Sequence, residues 1–241
     1  FEKLLADAQV NKEAYTNMTS DILKARSDAK LNQGQNFSRL MSFAMYGPKS
    51  PATNLLTEAE LTNMNPQELV DRIHNQNSYK HRILYYGPSS SKDLLATINQ
   101  YHQVPAALKD IPAGNEYSYL ETPVTKVLVA PYDAKQIYMA QISNLDKKYD
   151  PAIEPIRALY DEYFGGGMNS IVFQEMRETR GLAYSAWASI MPPSYLKYPY
   201  VLRTQIATQN DKMIDAVTTF NDIINNMPES EAAFKLAKDG L

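Results

Sequence analysis

Two arginines and a tyrosine stand close together in the stretch GGGMNSIVFQEMRETRGLAYSAWAS, residues 165 to 189. Arg177 and Arg180 end a helix-like run, and Tyr184 follows Arg180 by four residues. A guanidinium group can donate hydrogen bonds to a carbonyl oxygen, and a phenol hydroxyl can stabilise an oxyanion. The pattern is typical of a polar binding site, but a structural salt bridge beside a packed tyrosine would give the same residues.

The elements that position these side chains can be read from the flanking residues. The glycine loop, Gly165 to Gly167, should end the helix that finishes at Phe164, because glycines allow positive φ and a close approach by another backbone. Asn169 can cap the next helix, which Gly181 can end in the left-handed conformation. We expect its core-facing residues to be Ile171, Val172 and Met176. The order is therefore helix, glycine loop, short helix, tight reversal and strand.

The charged residues of this helix have simpler explanations too. The set Glu175, Arg177, Glu178 and Arg180 could be a solvated face beside a flexible loop. Arg180, the main rival to Arg177, could compensate the dipole at the helix end. A phosphate cradle is disfavoured, because the glycines match neither GxxxxGK[ST] nor GxGxxG.

The rest of the chain predicts an α+β fold, with helices packed on one face of an antiparallel sheet. Residues 1 to about 45 form a helical N-terminal arm, and residues 1–241 are predicted to be a single domain. The strand candidates are RILYY (82–86), VTKVLVA (124–130), KQIYMAQIS (135–143) and YPYVLRTQIAT (198–208). Ser90 is predicted to cap a helix after the first of these strands.

Two helices have readable apolar faces. One helix, capped by Asp150, should bury Ile153, Ile156, Tyr160 and Phe164. The other should bury Met213, Val217, Phe220, Ile224 and Met227. The acidic residues of the first helix and its cap, Asp150, Glu154, Asp161 and Glu162, are interpreted as a solvated face.

Composition excludes several function classes. The chain has 241 residues, 24 basic and 27 acidic, with a pI near 5.7, so nothing suggests a nucleic-acid or anionic-membrane surface. It has no cysteine, which removes disulfides and thiolate zinc sites. The last run, SEAAFKLAKDGL, places Ala232, Phe234, Leu236 and Ala237 on a helix that needs burial. We expect the chain to be a fragment that continues past Leu241 and exposes an apolar surface.

The ordered string GGGxxSxxFQExRExRGLAYS, residues 165–185, resembles the C-terminal half-domains of the pitrilysin/insulinase-like zinc peptidases. The pattern LLTEAELTNMNPQELVDRI followed by YKHRILYYGP is similar to the region before their strand, glycine and helix unit. The final amphipathic helix also falls in register. The resemblance covers roughly residues 15–241.

The resemblance implies a LuxS/mitochondrial processing peptidase-like half-shell, one of two that close around a peptide. One half carries the zinc motif HxxEH, and the other contributes substrate contacts. In the non-catalytic half an arginine and a tyrosine seven positions apart reach into the cleft, which matches Arg177 and Tyr184. Because none of the three histidines begins HxxEH, no zinc is expected in this chain.

We therefore expect a substrate-binding, non-catalytic half of a zinc endopeptidase, inert alone. Its expected partners are a peptide and a catalytic half on the same or a separate chain, which would carry the zinc. The alternative is a scaffold subunit that kept the fold without processing peptides. Compartment stays open between bacterial periplasm and cytoplasm, and substrate preference cannot be read from the residues.

Overall fold

The computed structural model describes residues 2–241. Its α-helices, in chain order, are α1 (Glu2–Ala6), α2 (Lys12–Ala29), α3 (Gln33–Tyr46), α4 (Glu58–Asn63), α5 (Gln67–Asn75), α6 (Ser91–Tyr101), α7 (Glu154–Phe164), α8 (Ile171–Phe173), α9 (Met213–Asn225) and α10 (Glu231–Asp239). Its strands are β1 (Gln136–Lys148), β2 (Ser185–Met191) and β3 (Pro199–Gln209).

The chain forms two compact units. The first comprises the residues up to Asp28 together with Leu55–Glu116, and it is helical. Thr57 caps α4 in a capping box with Glu60, and the predicted cap Ser90 accepts a hydrogen bond from the backbone N–H of Asp93. Leu61 and Val70 are buried in this unit.

The second unit, Ala29–Asn54 and Tyr117–Leu241, contains an antiparallel sheet in the order β1-β3-β2. Strand β3 pairs with β1 through Met139 and Ile206, and with β2 through Ala186 and Ile206. Ile206 is fully buried at the centre of the sheet. The strands predicted over 135–143 and 198–208 are therefore confirmed.

One face of this sheet carries the core of the second unit. Helices α7, α8, α9 and α10 cover it, because successive side chains of a strand point to opposite faces and the inward ones are apolar. The largest fully buried apolar side chains include Phe164, Val172, Met176, Ile206 and Phe220. This arrangement confirms the α+β fold and the inward placement of Ile171, Val172 and Met176.

The outer backbone edge of β2 is closed by the end of α7. The Asp161 carboxylate accepts a hydrogen bond from the backbone N–H of Ile190 at 2.8 Å and from the Ser189 hydroxyl at 3.0 Å. Arg157 donates to Asp161 at 2.6 Å and to the Ile190 carbonyl at 3.1 Å. An unpaired edge strand invites association, so these side chains protect the sheet.

The acidic face predicted for α7 is therefore wrong in part. Asp161 is bonded to β2, and Glu154 accepts hydrogen bonds from Tyr200 at 2.6 Å and Arg157 at 2.9 Å. The bond from Tyr200 is the main cause that holds the pKa of Glu154 below its ordinary value. These carboxylates point to the sheet because the buried Tyr200 and the half-buried Arg157 need acceptors.

The glycine loop makes the close approach that the sequence predicts, without positive φ. A Cβ on Gly165 would lie 2.2 Å from the carbonyl oxygen of Ala188. The next helix is capped by Ser170, whose hydroxyl accepts from the backbone N–H of Phe173 at 3.3 Å. The expected cap Asn169 is wrong by one residue, because the buried Ser170 also bonds the Gly167 carbonyl.

Two predicted strands are not found in the structure. Residues 82–86 and 124–130 lie outside helices and strands and are exposed. Both runs are rich in β-forming residues, but a strand also needs a hydrogen-bonded neighbour, which local propensity cannot supply.

The predicted apolar faces are partly correct. Phe164 is buried, whereas Ile156 is 70% exposed. On α9 the buried residues are Ala216, Phe220 and Ile223, while Met213 at its start is exposed, as is Met227, which lies two residues past its end. Among the four apolar residues considered on α10, only Ala237 is buried, and Phe234 packs edge-on against Tyr163. The apolar face of each helix is longer than the surface that it packs against, so the residues at the ends of that face stay exposed.

The close contact at Gly165 gives a matched pair of variants. Gly165→Ala should lower the free energy of unfolding by about 1–3 kcal/mol, because the new methyl group collides with the backbone of Ala188. Gly167→Ala should change it by less than about 0.5 kcal/mol, since the nearest atom, on Glu162, is 3.9 Å away. Chemical denaturation of both variants measures this. Equal stabilities would contradict the close approach.

The edge protection can be tested on neighbouring carboxylates. Asp161→Ala should cost about 1.5–3 kcal/mol, because it leaves the Ile190 amide without its acceptor and removes one of the two carboxylates that Arg157 binds. Glu162→Ala, at an exposed position of the same helix, should cost less than about 0.5 kcal/mol. Urea titrations would compare them, and an Asp161→Ala chain as stable as the control would refute this role.

Candidate functional site

The helix that carries Arg177 departs from α-helical geometry. After α8 the chain continues as a π-helical segment, Gln174–Thr179. The backbone N–H groups of Leu182 and Ala183 both donate to the carbonyl of Met176, at 2.8 and 3.2 Å. Isolated π turns of this kind are frequent at functional sites. Here the π-helical segment folds the chain sharply back toward the sheet.

Gly181 makes this reversal possible. Its φ is +57°, which lies in the left-handed region that only glycine adopts without strain. Its N–H donates to the Arg177 carbonyl at 3.1 Å. The left-handed helix end predicted from sequence is confirmed here.

Two side chains from distant elements hold the reversal. The Thr208 hydroxyl donates to the Leu182 carbonyl at 2.6 Å, and the Lys212 ammonium donates to the Gly181 carbonyl at 3.0 Å. Tyr184 then joins the sheet, because its N–H donates to the Ala207 carbonyl at 2.8 Å. The backbone around Tyr184 is thus fixed on both sides.

The structure brings Arg177 and Tyr184 together. The guanidinium carbon of Arg177 lies 5.6 Å from the centroid of the Tyr184 ring and 5.1 Å from that of Phe173. Stacking over two rings orients the guanidinium group. Tyr184 is 70% exposed, so its hydroxyl is accessible from solvent. Arg177 also lies 3.6 Å from the Glu178 carboxylate, at an exposed position.

A pocket of about 230 Å³ opens beside Tyr184, and Arg177 does not line it. It is lined by Gln136, Gly181, Leu182, Ala183, Tyr184, Thr208, Gln209 and Lys212. Backbone groups, a phenol and an ammonium therefore surround one concave surface.

The remaining residues singled out from sequence lie elsewhere. Gly165, Gly166 and Gly167 do not line the pocket and instead contact β2 and α7. Arg180 lies 3.3 Å from the Glu175 carboxylate, a contact within the same helix end. The structure therefore favours Arg177 over Arg180 as the partner of Tyr184.

Sequence reasoning missed Gln136, Thr208 and Lys212. Each lies at the end of a strand or the start of a helix with no motif around it. Thr208 and Lys212 act on residues 26 and 31 positions away. Such contacts depend on strand register, and no local signal in a single sequence identifies them.

Within residues 2–241, no three or more His, Cys, Asp or Glu side chains are grouped so that they could hold a metal ion. No helix in the same range has the length and apolar character that crossing a membrane requires.

Comparison with known proteins adds a family. The sequence profile of the peptidase M16 inactive domain matches residues 83–241. The fold is similar to the peptidase M16 inactive domain from Pseudomonas fluorescens, with a TM-score of 0.71 and 17% identity over 100% of this chain and 58% of that one. It is also similar to the periplasmic protease PqqL from Escherichia coli, with a TM-score of 0.70 and 14% identity over 96% of this chain and 26% of that one.

A third similar structure has a different setting. It is a chain of complex III2 from Candida albicans, with a TM-score of 0.59 and 11% identity over 99% of this chain and 57% of that one. No curated protein sequence matches the chain. The chain thus spans between a quarter and three fifths of the length of these three structures.

The reversal at Gly181 can be tested with a matched glycine. Gly181→Ala should lower the free energy of unfolding by about 1–2 kcal/mol, because an L side chain is strained at this φ. Gly114→Ala introduces the same methyl group, also into open space, but at a position without positive φ. Its effect should stay within about 0.5 kcal/mol. Thermal and urea unfolding give the comparison, and an unaffected Gly181→Ala chain would argue against the left-handed reversal.

Proposed function

The chain belongs to the peptidase M16 family, and from this membership we propose that it is the non-catalytic, substrate-binding half of a zinc-dependent endopeptidase. The resemblance to zinc peptidases of the pitrilysin/insulinase type is confirmed at the level of the family. The match is to the inactive domain of the family. The finer statements below, on substrate contacts and partners, are our own inference.

The observation that supports substrate binding is the position of Tyr184 in the lining of a pocket, with Arg177 stacked on its ring. Arg177 is stacked on the Tyr184 ring, and Tyr184 lines the pocket. A guanidinium group and a phenol hydroxyl both donate hydrogen bonds, which suits the carbonyl groups of a peptide backbone. The pair would hold an extended peptide across the reversal at Gly181.

The zinc of the proposed enzyme belongs in a different half. The catalytic motif HxxEH is missing from this sequence, so these residues do not fit a catalytic zinc site. A partner half, on the same or a separate chain, would carry the metal and activate the water that attacks the peptide. What this chain supplies is then the position of the peptide and a donor for the oxyanion.

A scaffold role is the second candidate function. The similarity to a chain of complex III2 favours it, because that assembly offers a place for a chain of this fold. The two candidates differ in what accompanies this half. A segment of the same gene, or a co-expressed partner, that contains HxxEH and a third glutamate ligand would favour the endopeptidase, and its absence would favour the scaffold.

The proposal is tested first on the isolated chain. A fluorogenic peptide library should not be hydrolysed by it, with or without a chelator. The same library should be hydrolysed once the catalytic half is added. Chelator-sensitive hydrolysis by the isolated chain would overturn the non-catalytic assignment.

The role of Tyr184 predicts a kinetic signature. In the complete enzyme, Tyr184→Phe should lower kcat about tenfold to a thousandfold, by analogy with the loss of one oxyanion donor. KM should change little, because an oxyanion contact strengthens mainly in the transition state. Tyr195→Phe, in the connection between β2 and β3, is the matched control and should leave both constants unchanged. A Tyr184→Phe enzyme with normal kcat would indicate that Tyr184 has a packing role and no role in catalysis.

A further inference from the structure

Two histidines of the first unit face each other with the same ring nitrogen. The Nε2 atoms of His81 and His102 are 2.8 Å apart. The rings meet edge to face, with centroids 4.9 Å apart. His81 lies on the irregular segment before α6, and His102 lies at the end of that helix. The pair is therefore formed by residues at the two ends of one local unit.

The outer nitrogen of each ring contacts an acceptor. His102 Nδ1 lies 2.9 Å from a carboxylate oxygen of Glu2, and His81 Nδ1 lies 2.6 Å from the carbonyl oxygen of Tyr79. Neither acceptor brings a hydrogen, so both Nδ1 atoms must carry one.

This assignment leaves the Nε2 lone pairs of both rings pointing at the same place. Two lone pairs at 2.8 Å repel each other unless a cation lies between them. The contact is thus a position for one cation.

We infer that His81 and His102 form a binding site for one divalent transition-metal ion of the zinc type. Neutral imidazole is a preferred ligand of Zn²⁺, Cu²⁺ and Ni²⁺. Histidines that bind metals commonly donate their other N–H to a carboxylate or a backbone carbonyl, as Glu2 and Tyr79 accept here.

The site requires a small adjustment of the two rings. Zn–N bonds of about 2.0–2.1 Å in a tetrahedral centre place two nitrogens about 3.3 Å apart. The rings must therefore separate by about half an ångström from the 2.8 Å contact. His81 can move, because residues 81–90 are exposed and belong to no helix or strand. Water would complete the coordination.

The two ligands of this site are 21 residues apart and lie in the first unit, whereas Arg177 and Tyr184 lie in the second. With two protein ligands it lacks the third that catalytic zinc sites have. The inference therefore stands or falls independently of the proposed function.

The chain has three histidines, which makes the test direct. We expect ZnCl₂, added to the untagged chain at pH 7.5, to shift or broaden the Cε1–H NMR signals of His81 and His102. The signal of His74, an exposed residue of α5, should stay in place. Isothermal titration should give one Zn²⁺ per chain.

Matched variants assign the site. His81→Ala and His102→Ala should each abolish the 1:1 binding, and His74→Ala should leave it unchanged. Glu2→Gln should weaken it about tenfold, the usual cost of losing an outer acceptor. The inference is overturned if none of the three signals responds to Zn²⁺, if all three respond alike, or if the His81 and His102 signals titrate together with pH but ignore the metal.

Discussion

The second unit depends on how the edge of β2 is closed. A strand at the edge of a sheet presents backbone N–H and C=O groups that must find partners. Here the C-terminal end of α7 supplies them, with the Asp161 carboxylate on the Ile190 amide and Arg157 on the Ile190 carbonyl. Gly165 lets the same turn touch the backbone of Ala188. Without these contacts β2 would be an open edge, and the segment before it would lose its anchor.

That anchor determines where the candidate site lies. The chain from Gly165 to Ser185 begins and ends on β2 or next to it, so its length forces a helix and a sharp return. The buried residues Val172 and Met176 fix the helix on the core, and Gly181 provides the return. Arg177 and Tyr184 then meet at the outer end of this loop. The two side chains are close because the elements that carry them pack together. The residues between them contribute only local turns.

The sequence predicted the parts of the structure that local chemistry decides. Left-handed geometry at Gly181, the Ser90 cap, and strands β1 and β3 follow from residue types and their spacing. The runs at 82–86 and 124–130 have the same β propensity as these strands yet remain unpaired. Strands β1 and β3 have a neighbouring strand to pair with, and those two runs do not. The β propensity of a segment does not specify whether such a neighbour exists.

The candidate site also contains residues that the sequence identifies and residues that it does not. Arg177 and Tyr184 could be chosen from their types and the resemblance that the motif carries. Lys212 and Thr208, which hold the carbonyls of the reversal, could not, because their contacts span 31 and 26 residues. The solvated interpretation is wrong for Asp161 and Glu154 for a related reason. Only the position of β2 shows that Asp161 has partners there.

The exposure of the Arg177 and Tyr184 pair bears on how the proposed enzyme would work. In water, an exposed guanidinium or phenol contributes little to binding, because solvent competes for its hydrogen bonds and screens its charge. The stacking of Arg177 on Phe173 and Tyr184 already fixes its orientation, so little order would be lost on binding. Covering the pocket with a second half-shell would remove the competing water and strengthen both contacts. Under the proposed function, this half would therefore need its partner to make its own binding groups effective.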